Sequence, residues 1–278
     1  MRSSRQRRNA SQASSMPEVS VRVVPFTNTK ERTEFFKNLA ISSEFDMRQR
    51  GLLEYYGKDF ITYKLEDPTN EKRNEFLRVI AQYMTTHLED NCPPSWKACH
   101  SPFWEELIFA IIPHSLQINP NQNEAETYLS ELKMFVKWLD KRAGTNWYPV
   151  VADFVKAASS DLIICESILH AIFLNHYPKL FQDDWNPFED IENQEREYEQ
   201  CADQVNSFFV VTRILDDLIE LTEYRTDRMY QLKGLPTELM KPGLIMIGSI
   251  GRKRDDLYFK WYHTGGIYPP RARKSFEF

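Results

Sequence analysis

The chain has 278 residues, 42% of them hydrophobic and 27% charged, which is enough apolar material for a sizeable core and argues against an intrinsically disordered chain. A net charge of −5 argues against binding a polyanion by overall charge, although Arg2, Arg5, Arg7 and Arg8 show that the charge is unevenly spread. Four cysteines (Cys92, Cys99, Cys165 and Cys201) point to reduced thiols in a cytoplasmic protein. No apolar run reaches the ~18 residues of a membrane span, and the N-terminus lacks the apolar stretch of a secretory signal.

Residues 1–17 are rich in Arg and Ser and free of acids, the composition of a disordered basic tail, with Met16 as an alternative start. Residues 19–24 alternate and are β-branched, which predicts a short strand. Asn28-Thr29-Lys30-Glu31 is a capping box that opens a helix to Leu39. A second helix is expected over 44–56, stopping near Gly57, and a second strand over 60–65. Residues 18–69 thus read as a mixed α/β segment.

From residue 70 the period becomes helical. Phe76, Leu77, Ile80, Ala81, Met84 and Leu88 fall on one face. After a Pro-containing loop, Ser101-Pro102 caps a helix expected to end near Pro113. Asn123-Glu124-Ala125-Glu126 opens another, closed at Gly144. Tyr148-Pro149 starts the next, and Ser160 or Asp161 is expected to cap a separate helix. Residues 162–173 are apolar on nearly every side, so that helix should lie at the centre of a bundle.

Asn186-Pro187-Phe188-Glu189 reads as another helix start, and Lys233-Gly234-Leu235-Pro236 as a stop. Between them Tyr198, Cys201, Val205, Phe208, Thr212, Leu215, Ile219 and Thr222 recur at three- and four-residue steps. That predicts a helical stripe over 186–233, either one rod of about 70 Å at ~1.5 Å per residue or a helix broken near Asn206-Ser207. Runs at 244–250 and 257–263, joined by a charged loop, predict a β-hairpin. No repeat at a fixed period is visible.

The residues with chemical potential fall in three groups. Asp216-Asp217 followed by Glu220 has the DDxxE spacing. On a helix, Asp216 and Glu220 would share a face and could hold a divalent metal on a diphosphate. Over these five residues the chain resembles the aspartate-rich motif of all-helical isoprenoid synthases, without the second metal-binding cluster that such enzymes need. Glu166 and His170, four apart on the most apolar helix, could be metal ligands, an acid–base pair or a hydrogen-bonded core pair. Arg252, Lys253, Arg254, Lys260 and Trp261 belong to a basic, aromatic C-terminal segment with the composition of a single-strand nucleic-acid surface. The six-residue gap between Cys92 and Cys99 does not match a zinc knuckle.

These readings combine into a mainly α protein: a multi-helix bundle over 70–234, a mixed N-terminal segment and a small C-terminal β-hairpin module over 235–278. The first functional expectation is a non-enzymatic interaction or regulatory protein, whose helical stripe pairs with a protein partner or a second copy. The alternatives are a metal-dependent helical enzyme using Glu166, His170, Asp216 and Glu220, and a nucleic-acid binder using the C-terminal hairpin. No cofactor beyond a divalent metal is implied, and no membrane partner.

Overall fold

A computed structural model describes residues 26–121 and 123–276. The strand expected at 19–24 and the basic tail lie outside the described residues.

The N-terminal two-thirds is helical. α1 (Thr29–Ser43) begins as its sequence requires, with the Asn28 side chain accepting a hydrogen bond from the Glu31 N–H. α2 (Gln49–Leu53) and α3 (Tyr55–Glu66) follow. Residues 60–65, expected as a strand, lie inside α3. Tyr56, Phe60, Ile61 and Tyr63 form a helical apolar face there, and a helix continuing past Gly57 buries it. Gly57 does not stop the helix; it lets the backbone of α2 approach, since a Cβ there would lie 1.9 Å from the Gly51 carbonyl oxygen.

α4 (Glu71–Gln82) runs into a π-turn (Tyr83–His87). α5 (Ser101–Glu106), a second π-turn (Leu107–Ile111) and α6 (Ile112–Ser115) form one continuous helical path. α7 (Glu124–Ala143) ends at Gly144, whose φ of 64° is the left-handed cap conformation. α8 (Tyr148–His176) is one helix of 29 residues with no break at Ser160 or Asp161. It buries Leu162, Cys165, Ile168, Leu169 and Ile172. Among the described residues it is the one helix long and apolar enough to cross a membrane by length and composition.

The expected bundle to residue 234 is overturned. α9 spans only Pro187–Glu199. From Asp203 the chain forms five strands: β1 (Asp203–Leu215), β2 (Leu218–Glu223), β3 (Met229–Lys233), β4 (Ile245–Arg252) and β5 (Phe259–Tyr268). They close into a barrel in the order β1-β2-β3-β5-β4, antiparallel throughout except for the parallel β3–β5 pair. The C-terminal module is therefore a barrel, and the expected hairpin supplies only β4 and β5.

The physical reason lies in the residues of the supposed rod. Val205, Phe209, Val211, Ile219, Leu221, Tyr230 and Leu232 alternate with more exposed neighbours and point inward at period two. Asp216-Asp217 is the two-residue turn between β1 and β2, with Leu215 opposite Leu218 and Asp216 at φ 43°, a conformation Asp tolerates.

One apolar core runs through helices and barrel. Arg271, just after β5, clasps the two parts. Its guanidinium lies 4.6 Å from the Phe109 ring centroid and 4.8 Å from that of Phe154, and it donates to Glu105 at 2.7 Å. His114 of α6 bonds the Tyr268 hydroxyl at 2.9 Å, and Lys241 pairs with Asp161 of α8.

Candidate nucleic-acid interface

Parallel pairing of β3 with β5 sets Leu232 opposite Phe259 and Lys233 opposite Lys260. Leu232 is buried in the barrel, so pleating sends both lysines outward on one face. Like charges in that relation repel. Lys233 is offset by Asp217 from the β1–β2 turn at 2.8 Å, and its ammonium lies 4.9 Å from the centroid of the Tyr258 ring. Among the described residues no carboxylate pairs with Lys260 or with Arg254 of the β4–β5 loop. Leu257, next to Tyr258, is 82% exposed.

Beside the two lysines lies a cleft of about 410 Å³, bounded by the end of α8, by α9 and by β3 and β5. Gln194 of α9 builds it. Its amide donates to His176 Nδ1 at 3.0 Å and to the Tyr262 carbonyl, and its oxygen accepts from the Tyr177 hydroxyl. With Nδ1 accepting, His176 carries its proton on Nε2. Burial pushes its pKa down, against a hydrogen bond to the Trp261 backbone that works the other way. The imidazole is therefore a neutral strut at pH 7. Asn175 donates to the Gly234 carbonyl at 3.4 Å, and Asp190 accepts from Trp185 at 2.8 Å.

The five residues expected to contact nucleic acid stand in different states. Lys260 lines the cleft. Arg252 is held by Asp203 at 2.5 Å and stacks 5.0 Å from the Phe259 centroid; Lys253 reaches Gln200 at 3.4 Å. Arg254 is exposed. Trp261 is 4% exposed, packs edge-on against Phe209 inside the barrel and donates to Thr264. Its ring belongs to the barrel core, although the residue borders the cleft. Lys233 and Tyr258 complete the surface; no local pattern pairs β3 with β5, so only the fold sets Lys233 opposite Lys260.

The four residues expected to bind metal separate into two pairs. Glu166 is 2% exposed on α8 and accepts from the Glu124 N–H at 2.9 Å and the Ala125 N–H at 3.2 Å, capping the start of α7. His170 accepts from the Asn119 N–H at 3.2 Å through Nε2; burial lowers its pKa, opposed by the Glu166 charge. Asp216 and Glu220 sit in a turn and on a strand, which removes the helix face assumed for the DDxxE spacing. Among the described residues no group of three or more His, Cys, Asp or Glu side chains is placed to hold a metal ion.

Charge divides with the fold. Residues 203–276 contain twelve Lys and Arg against nine Asp and Glu, whereas 26–202 contain eighteen against twenty-nine. The barrel is the cationic part of an acidic molecule. Compared with protein-family models, curated proteins and solved structures, the chain has no match.

Proposed function

We propose that the chain binds single-stranded nucleic acid on the β3–β5 flank of its barrel and on the β4–β5 loop. The observation that carries this reading is the pairing of Lys233 with Lys260 across the β3–β5 ladder, with the Tyr258 ring 4.9 Å from the Lys233 ammonium, on the cationic part of the molecule. Lysine and arginine reach phosphates, and an accessible ring offers a stacking surface for a base. The architecture adds general support by analogy alone: closed five-stranded barrels with crossed connections serve as oligonucleotide- and oligosaccharide-binding modules. The stripe expected to pair with a partner helix is divided between α9 and the barrel. A protein-partner reading would now rest on α9, which leaves Phe188 83% exposed among carboxylates.

The test is fluorescence anisotropy with a labelled single-stranded dodecamer over 50–300 mM salt. Three or four phosphate contacts predict a slope of about −2 to −3 in log K against log salt. The paired change Lys233→Glu with Lys260→Glu should weaken binding at least tenfold. An affinity indifferent to salt, or to that charge reversal, would remove the reading.

A further inference from the structure

Two features of the cleft restrict what it accepts. The first is a pair of lysines on one wall. Lys233 and Lys260 are register partners across the β3–β5 ladder, and of the two only Lys233 has a carboxylate among the described residues, Asp217 at 2.8 Å. Lys260 projects beside the same cleft with no ion-pair partner among the described residues. An anion between the two would turn a repulsive cross-strand pair into a shared, charge-assisted contact.

The second is the opposite wall. α9 lines the cleft with Asp190 and Glu197 and holds further carboxylates in its sequence, with Arg196 engaged by Glu192 at 2.8 Å. A phosphodiester backbone threaded through would run against that acidic helix. A strand that ends in the cleft leaves its charge at the lysines and presents only a base and sugar to α9. Asn193 fits that role: it is exposed, lines the cleft, and its side chain makes no hydrogen bond among the described residues, so the amide's donors and acceptor are free for a base edge. Gln194, by contrast, is fully used in holding the walls together. A volume of about 410 Å³ lies in the range of small-molecule pockets and suits one nucleotide better than several.

We infer that this cleft is an end-recognition site, which takes a single nucleotide carrying a terminal phosphate monoester, with the phosphate between Lys233 and Lys260 and the base toward Asn193. The inference rests on the single-strand binding proposed above and specifies which part of the strand is read.

Its test compares labelled dodecamers of one sequence bearing a phosphate or a hydroxyl at the 5′ end, and likewise at the 3′ end, with the label internal. One of the phosphorylated strands should bind at least tenfold tighter than its hydroxyl counterpart. Lys260→Gln and, separately, Asn193→Ala should bring that ratio close to one, with circular dichroism confirming that each variant is folded. A nucleoside monophosphate should compete with the phosphorylated strand better than inorganic phosphate does, which separates a nucleotide end from a bare anion site. If the hydroxyl-ended strand binds with a steep salt dependence and phosphorylation changes nothing, end recognition falls while single-strand binding stands. If neither strand binds, both fall. If inorganic phosphate competes as well as the nucleotide, the nucleotide assignment is wrong.

Discussion

A carboxylate inside an apolar helix must find donors, and Glu166 finds them across the helical layer, at the first two N–H groups of α7. The Asn123 side chain makes no capping bond there, so the partner helix supplies the cap. His170, one turn on, does the same for the loop before α7 through the Asn119 N–H. Removing the carboxylate strands two donors, one buried and one part-buried: Glu166→Ala should cost about 2–3 kcal/mol in urea unfolding, and Glu166→Gln, which keeps one acceptor, distinctly less. Equal stability of Glu166→Ala and the native chain would show that the bonds carry no net weight. The spacing of Glu166 and His170 made it legible that they share a buried face. What they face was not legible, because the donors lie some forty residues earlier.

At the scale of elements, helices were read best where a cap and a periodic face coincide. Asn28 before α1, the Glu-rich start of α7 and Gly144 at its end all signalled themselves locally. In the barrel, alternating β-branched and aromatic residues also satisfy three- and four-residue steps, so the local pattern does not separate strand from helix there. Phe208, Thr212, Leu215 and Ile219 fit a helix on paper, yet the inward residues of β1 are Val205, Phe209 and Val211. A turn as short as Asp216-Asp217 was the stronger local sign, since it lies between two apolar runs. The barrel also depends on places where the backbone leaves no room. A Cβ on Gly248 of β4 would meet the His263 carbonyl oxygen at 2.0 Å and the Trp261 ring at 2.4 Å. Gly248→Ala should therefore destabilise by about 3 kcal/mol and alter the near-ultraviolet signal of the tryptophan. Gly265→Ala is the control, because its nearest neighbour is a methyl group of Ile247 at 3.2 Å. A Gly248→Ala protein no less stable than the control would mean that the strands adjust freely.

For the molecule as a whole, the decisive contacts join segments far apart in sequence. β1 pairs with β4 from Asp203 opposite Arg252 to Val210 opposite Ile245, and no local pattern encodes that register. The clasp of Arg271 on Phe109, Phe154 and Glu105 was equally invisible, although it joins barrel and helices into one body. Burial alone would raise the Glu105 pKa, but the hydrogen bond and charge of Arg271, with Lys274 near, hold it below the ordinary carboxylate range. Arg271→Ala loses stacking and leaves a half-buried carboxylate short of a partner. It should cost about 2 kcal/mol and split the calorimetric transition into separate helical and barrel components. A single transition at the native temperature would show that the clasp does not couple them.

The barrel's closure is unequal around its circumference. β1 and β4 share a ladder of eight residue pairs, whereas β3 meets β5 at two, Leu232 with Phe259 and Lys233 with Lys260. A cylinder sealed so lightly along one line has a preferred tear: amide protons of β3 and of the start of β5 would exchange with solvent sooner than those buried in the long ladder opposite. Anything gripping both lysines at once would act as a rivet over that tear.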